Sequence, residues 1–299
     1  MTVGYGPLLR RDGPPPAGRN NTLLQVAAAM GLLITDDDAH WQNGIALQPY
    51  TPGPAGSFDP CGTGTDSIKA AGEGIPLPEF GPVEIYFSET CTARVVGPED
   101  QWFINRATAG LGGAQEAAVE NVLATGGAVF DNPHLTDTNL DILNVGTGSG
   151  FSRTWTAMNP VEALALLEEQ IGGTKKGGII HAPPAVVTYW SRYHLLQEAS
   201  QKGPLFTKSG TPIVDGYGYI GAVPDGSNFA HLTAIEDWAF ATGPVKIWMD
   251  PAALIYPGSY KEALDRHTNT LTYRAERPFV ITWDQVLQAG VLIDRSIDP

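Results

Sequence analysis

Apolar residues recur at helical spacing in two long stretches of the chain. In the first, the acidic turn at Pro98-Glu99-Asp100 opens a pattern that predicts a helix over residues 98–126, although three internal glycines weaken its middle. The second begins at Pro160, and its apolar positions predict a helix over 160–171 that ends at Gly172-Gly173. Shorter helices are predicted from Asn21 or Thr22 to Gly31 and from Pro183 to Leu196.

Alternating or fully apolar runs predict short strands between and after these helices. The segments Trp238–Ala241 and Val245–Met249 are predicted to form a hairpin about Thr242-Gly243-Pro244. Because helices and strands mix without a regular βαβ alternation, the predicted class is α+β. The other predicted strands lie at 83–87 (continuing to 95–96), 178–182, 212–214, 268–274, 279–283 and 291–293.

Glycine and proline are concentrated in two irregular regions near the N-terminus. The chain has 35 glycines and 24 prolines among its 299 residues. Residues 1–21 are predicted to form an irregular arm, and residues 49–82 a long loop. A loop of this length inside a compact domain is usually functional. We therefore expect an excursion that packs against a neighbouring subunit.

The charge balance narrows the function classes. With 18 basic and 32 acidic residues, the net charge is −14, which argues against a basic nucleic-acid groove and against a basic membrane-surface helix. Only 17% of the residues are charged, which favours surfaces that are covered in an assembly. The sequence predicts neither a signal peptide nor a membrane span, so no membrane partner is expected.

One local motif resembles a cofactor-binding loop. An apolar run from Leu140 leads into Gly146-Thr147-Gly148-Ser149-Gly150, as in the loop of S-adenosylmethionine-dependent methyltransferases. Little helical pattern follows the glycines before Pro160, and no strand ending in an acid follows at the required distance. We therefore favour a glycine-rich crossover and keep the methyltransferase as the alternative.

Other candidate chemical groups have simpler interpretations. His181 follows an apolar strand, where a hydrogen-bonded histidine of the core or of an interface is expected rather than a general base. Asp36 to Asp38 beside His40 fit a solvated loop better than a metal site. Cys61 and Cys91 are expected to be buried thiols, with a single disulfide as the alternative, and neither has zinc-ligand spacing. We expect no catalytic residue, no metal and no cofactor.

The order of these segments resembles the major capsid protein of tailed phages, the Hong Kong 97-type family that includes encapsulins, and in particular head proteins of phages of actinobacteria. No single motif is decisive, and the likeness is in their succession over residues 83–299. The segments that carry it are Glu116 to Gly127 with Asp131-Asn132-Pro133, Ile179 to Pro183 with Trp190, Gly203 to Phe206 with Gly210 to Val214, Trp238 to Ile247, and Asn269 to Pro278.

The resemblance implies an α+β fold with four parts. These are an N-terminal arm (1–39), an extended loop (40–97), a peripheral domain (98–158 and 268–299) with a spine helix at about 98–126, and an axial domain (159–267). It implies a non-enzymatic shell subunit of an icosahedral phage head. A minor head protein or an encapsulin-like shell of the same fold is the alternative.

The resemblance also implies partners. Hexamers and pentamers of the chain itself would enclose DNA as non-specific contents, with a separate scaffold, a portal and decoration proteins. The protein would be made in the host cytoplasm and end in the virion. Residues expected at contacts between subunits lie in the arm and the loop: Arg10, Arg11, Arg19, Trp41, Tyr50, Phe58, Lys69 and Phe80.

Overall fold

The structure is a computed structural model, and it describes residues 20–35, 39–47, 78–92, 100–127, 132–137, 140–143, 157–198, 203–224 and 235–297. The chain divides into two compact units. The small unit comprises Met1–Gly18, Tyr86–Ala114 and Leu254–Glu276. The large unit comprises Arg19–Ile85, Gln115–Ala253 and Arg277–Pro299. No helix within the described ranges is long and apolar enough to cross a membrane.

Helices and strands alternate irregularly along the chain, which confirms the α+β class. The helices are α1 (Leu23–Ala29), α2 (Asp100–Thr125), α3 (Pro160–Thr174), α4 (Pro184–Arg192) and α5 (Tyr260–Ala263). The first strands are β1 (Leu33–Ile34), β2 (Ile45–Ala46), β3 (Glu79–Phe80), β4 (Val83–Thr92), β5 (Asp141–Ile142), β6 (Ile179–Ala182) and β7 (Leu196–Glu198). The later strands are β8 (Leu205–Thr207), β9 (Pro212–Asp215), β10 (Glu236–Thr242), β11 (Val245–Met249), β12 (Leu254–Tyr256), β13 (Leu264–Asp265), β14 (Thr270–Trp283) and β15 (Gln288–Asp294).

A seven-stranded sheet forms the centre of the large unit. Its strands lie in the order β5-β15-β10-β6-β9-β8-β7. β6 runs parallel to β9 and antiparallel to β10, and all four of its residues are buried. Burial of every side chain explains why this strand is an unbroken apolar run except for His181.

Helices α3 and α4 pack against this sheet. Their buried positions, including Leu164, Leu167 and Trp190, form one core with strand residues such as Ile180 and Val291. The start of α3 is fixed locally, since the Asn159 side chain accepts hydrogen bonds from the amides of Val161 and Glu162. The Trp190 indole donates to the carbonyl oxygen of Pro160 at 2.7 Å, which ties α4 to the start of α3.

The predicted hairpin of Trp238–Ala241 and Val245–Met249 is wrong, although both strands exist. β10 pairs with β15 and β6, whereas β11 pairs in another sheet with β1 and with residues 279–283 of β14. The turn at Gly243-Pro244 therefore carries the chain from one sheet to the other. β10 and β11 are thus consecutive in sequence but are not hydrogen-bonded partners.

The small unit packs the first half of α2 against a sheet made by β4, β12, β13 and β14. Phe103, Ala107 and Leu111 on α2 are buried, and the ring of Phe103 stacks on Tyr273 of β14 at 5.7 Å between centroids. The predicted strands at 268–274 and 279–283 are one 14-residue strand, β14, so the expected strand pair at this place is corrected.

One long helix matches its prediction closely, and two others end at different residues. The long helix α2 is continuous through its glycines from Asp100 to Thr125, close to the predicted 98–126. Helix α3 passes through Gly172 and Gly173 and ends at Thr174, and the capping residue Lys175 has a left-handed backbone with φ 58°. Helix α4 ends at Arg192 instead of Leu196, because Leu196 begins β7. The four-part domain boundaries drawn from the resemblance stay predictions.

Candidate functional site: a buried polar cluster and an exposed sheet face

Glu120 is a buried carboxylate on α2 in the large unit. Its residue is only 1% exposed. One carboxylate oxygen accepts from the backbone amide of Leu23 at 3.2 Å, and the other accepts from the amide of Gly218 at 3.0 Å. Leu23 is the first residue of α1, so one carboxylate joins the start of α1 and the Tyr217–Tyr219 turn to the same helix.

Two glycines allow the Tyr217–Tyr219 turn to approach Glu120. A Cβ added at Gly218 would overlap the Glu120 side chain and the α2 backbone at Ala117 and Asn121. A Cβ added at Gly216 would lie 2.6 Å from a carboxylate oxygen of Glu120. The hydrogen bond from Gly218 therefore depends on the absence of a side chain.

His181 lies in the same unit, on β6, with no exposed surface. Its Nδ1 is 3.0 Å from the Tyr219 hydroxyl, and its Nε2 is 2.9 Å from the Thr242 hydroxyl. Because the Thr242 hydroxyl donates to the carbonyl oxygen of Gly243, it accepts from Nε2–H of His181. Nδ1 then accepts from the Tyr219 hydroxyl, which assigns the tautomer.

Burial keeps both rings of this pair uncharged. It lowers the pKa of His181 from 6.5 to about 3. The pKa of Tyr219 lies well above its ordinary value, first because the phenol is buried and second because the Glu120 charge opposes its ionisation. The expectation of a hydrogen-bonded core histidine is confirmed, and a neutral, doubly bonded ring fits a structural role.

The small unit exposes one face of its sheet. We call it the Tyr86 face, formed by Tyr86 and Thr90 on β4, Leu254 and Tyr256 on β12, and Thr272 and Arg274 on β14. The exposed fractions are 64% for Tyr86, 48% for Tyr256 and 43% for Leu254. The alternate residues of β14, Leu271, Tyr273 and Ala275, are buried on the other side.

Cross-strand contacts organise the Tyr86 face. The Arg274 guanidinium lies over the Tyr86 ring, 5.7 Å from its centroid, and forms an ion pair with Glu276. Tyr256 is the register partner of Arg274, so both side chains project from the same face. The hydroxyls of Thr90 and Thr272 are 3.0 Å apart and hydrogen-bonded.

The structure places two of the predicted contact residues in the core of the large unit. Trp41 is 6% exposed and Phe80 is 1% exposed, and the Phe80 ring packs edge-on against Trp283 at 5.0 Å. Both side chains pack inside their own subunit, and their expected role as contacts between subunits stays a prediction. The other six, Arg10, Arg11, Arg19, Tyr50, Phe58 and Lys69, lie outside the described residues.

The glycine motif, the acidic run beside His40 and the two cysteines lie wholly or partly outside the described residues. Residues 144–150 of the glycine motif, Asp36 to Asp38 and Cys61 lie outside the described residues, and so does the side chain of Cys91. His40 is exposed on the 3-10 turn Ala39–Asn43. Within the described residues, no three His, Cys, Asp or Glu side chains are grouped to hold a metal ion.

The chain is similar to known proteins in structure and not detectably in sequence. No protein-family model matches the sequence, and no curated protein matches it. A chain from Mycobacterium phage Cain matches with a TM-score of 0.51 and 11% identity over 95% of this chain and 93% of that one. A chain from Mycobacterium phage Ogopogo matches with a TM-score of 0.50 and 11% identity over 96% of each chain. A chain from Mycobacterium phage Adephagia matches with a TM-score of 0.50 and 11% identity over 97% of this chain and 96% of that one.

Structural similarity at 11% sequence identity shows the fold of the chain. The chain therefore has the α+β fold of the Hong Kong 97 type that the order of its segments implied. The match runs along almost the whole of both chains.

The sequence patterns did not indicate Glu120, Tyr219 or the Tyr86 face. For Glu120, a signal existed in the helical spacing, because Leu123 and Ala124, three and four residues later, are both buried. For the Tyr86 face, no local signal distinguishes Tyr86 and Tyr256 from core aromatic residues.

Proposed function

We propose that this chain is the structural subunit of an icosahedral phage head. Copies of it form hexamers and pentamers that enclose the DNA genome, and the chain has no catalytic role. The observation that supports this most strongly is the fold shared over more than nine-tenths of both chains with proteins from three mycobacteriophages.

The surface chemistry agrees with a shell role. A shell needs broad contact surfaces of low charge between copies, and only 17% of the residues here are charged. The net charge of −14 repels DNA phosphates, so the packaged genome would not adhere to the wall. In this proposal the chain is made in the host cytoplasm and resides in the virion. A separate scaffold, a portal and decoration proteins would complete the particle.

Negative-stain microscopy and light scattering on the purified chain, with and without a molecular crowder, test the proposal. Closed shells or six- and five-membered rings are the expected result. A chain that remains a monomer or dimer under all conditions, and is stabilised against heat by S-adenosylmethionine, would overturn it. That outcome would favour the methyltransferase alternative.

A further inference from the structure

Asn43 is the only asparagine in the chain that is followed by glycine. It is exposed and ends the 3-10 turn Ala39–Asn43 in the large unit. No hydrogen bond restrains its side chain within the residues that the structure describes. The side chain is therefore free to rotate until its amide carbon, Cγ, faces the backbone nitrogen of Gly44.

The glycine at position 44 leaves its backbone nitrogen open to that approach. It has no side chain that would shield the nitrogen, and its backbone is left-handed with φ 98°. A Cβ added there would lie 3.3 Å from the Phe80 carbonyl oxygen, so the position suits glycine and disfavours other residues. The nitrogen and the side-chain amide of Asn43 are thus adjacent and unhindered.

One hydrogen bond protects the Gly44 nitrogen. Its N–H donates to the carbonyl oxygen of Trp41 at 3.0 Å, and the nitrogen cannot lose its proton and attack while this bond is closed. Hydrogen bonds of short 3-10 turns have poorer geometry than those of an α-helix, and exposed turns open by local fluctuation. The nitrogen therefore becomes reactive without unfolding of the large unit.

We propose that Asn43 is a self-modification site, where the Gly44 nitrogen attacks the side-chain amide and converts the asparagine to aspartate and isoaspartate. A solvent base takes the Gly44 proton, and the electron pair of the nitrogen forms a bond to Cγ of Asn43. The bond from Cγ to the side-chain nitrogen breaks, and this nitrogen leaves as ammonia. Water then opens the cyclic imide at either carbonyl, so one water is consumed for each ammonia released. This inference is independent of the proposed shell function.

Isoaspartate at position 43 changes the start of β2. It lengthens the main chain by a methylene group directly before β2, whose Ile45 is the register partner of Phe80. Phe80 is 1% exposed and packs against Trp283, so the core fixes the β3 side of this pair. Because β2 must absorb the added length, the hydrogen bond from the Leu47 amide to the Pro78 carbonyl oxygen should weaken.

Ageing of the folded wild-type chain in heavy-oxygen water at neutral pH tests the proposal. Mass spectrometry of its proteolytic peptides detects the loss of the amide and the uptake of heavy oxygen at each asparagine. Asn269 is the internal control, because it is also exposed and left-handed, with φ 53°, but precedes the β-branched Thr270. We expect Asn43 to lose its amide, with both products present, and Asn269 to retain it.

Two further measurements check the chemistry. The variant Asn43→Gln should keep its amide under the same conditions, because its longer side chain would have to close a larger ring. In the aged wild-type chain, hydrogen exchange is measured on the aspartate and isoaspartate peptides that contain Leu47, which chromatography separates. The isoaspartate peptide should take up more deuterium than the aspartate peptide, since only isoaspartate lengthens the main chain before β2.

Three results would overturn the inference. An amide at Asn43 that survives ageing of the folded chain, even if it is lost in urea, would mean that the bond from Gly44 to Trp41 does not open in the native fold. Equal conversion at Asn43 and Asn269 would mean that exposure alone sets the rate. Equal deuterium uptake by the two products would overturn the effect on β2. None of these results bears on the shell role, which assembly of the chain decides.

Discussion

The side-chain amide of Asn132 pairs with both backbone groups of Gly81. Its Oδ1 accepts from the Gly81 amide at 2.6 Å, and its Nδ2 donates to the Gly81 carbonyl oxygen at 3.1 Å. The segment after α2 also returns to the helix end, where the amide of Leu135 donates to the carbonyl oxygen of Leu123. Asn132 thus joins the segment after α2 to the turn between β3 and β4, and its side-chain amide makes the same pair of hydrogen bonds to Gly81 that a neighbouring strand would make.

Asn132→Asp should destabilise the fold by about 1–3 kcal/mol, because the new carboxylate retains the acceptor but faces the Gly81 carbonyl oxygen without a proton to donate. Urea unfolding measures the difference. Asn105→Asp is the matched control, since the Asn105 Oδ1 acts only as an acceptor for the Gln101 amide on the exposed side of α2. We expect the control to stay within about 0.5 kcal/mol of wild type, and equal losses in both variants would contradict the bidentate role.

Glu120→Gln should remove one of the two backbone hydrogen bonds that the carboxylate accepts. The glutamine side chain has one acceptor oxygen, so its amino group must face the amide of either Leu23 or Gly218. We expect a loss of about 1–3 kcal/mol in the free energy of unfolding. The same exchange at the exposed Glu169 on α3 is the control, and identical urea midpoints for the two variants would show that Glu120 does not hold α1 in place.

The buried His181 should make the fold less stable in mild acid. The unfolded chain protonates this imidazole below its ordinary pKa of 6.5, whereas the folded chain keeps it neutral down to a pKa of about 3. Its contribution to stability is therefore present above pH 6.5 and declines as the pH falls toward 3, by about 1.4 kcal/mol per pH unit.

Urea unfolding of wild type, His181→Gln and His267→Gln between neutral and mildly acidic pH isolates this contribution. The His181 variant should show the shallower pH dependence, and the exposed His267 variant should follow wild type. Should His181→Gln fail to fold, the imidazole resonances of the wild-type chain give the answer. A His181 signal that titrates near pH 6 would contradict its burial.

Two glycines of α2 should respond in opposite ways to alanine. A Cβ at Gly110 would overlap the ring of Phe87 on β4, whereas a Cβ at Gly112 meets nothing within 4 Å. Gly110→Ala should destabilise by about 1–3 kcal/mol through overpacking. Gly112→Ala should stabilise by about 0.5–1 kcal/mol through helix propensity. Thermal unfolding of both variants checks the sign, and a gain in both would mean that Phe87 moves aside freely.

Helix starts were predictable because their signals are local. Asn159 and Pro160 stand next to each other in the sequence and together specify the first turn of α3. Strand partners are set by residues far away, which explains the wrong hairpin: β10 bonds to β15, about fifty residues later in the chain. No pattern within β10 or β11 indicates a partner at that distance.

The continuity of β14 was missed because Pro278 looks like a strand end. Proline lacks an amide donor, so it normally interrupts a ladder. Here Pro278 falls between the two partner strands of β14, since the pairing with β12 extends to Glu276 and the pairing with β11 starts at Phe279. Glu120 was missed although its spacing to Leu123 and Ala124 places it on the buried side of α2, because carboxylates are rarely found in a protein core.

The place of β15 in the seven-stranded sheet has a consequence for how the protein is made. β15 lies between β5 and β10, and near the other end of the chain Leu33 is the register partner of Ile247. The seven-stranded sheet cannot form completely until β15 has left the ribosome, and the sheet that joins β1 to β11 cannot do so until Trp283 at the end of β14 has followed. Folding of both sheets therefore waits for strands made long after β1 and β5 and is dominated by distant contacts.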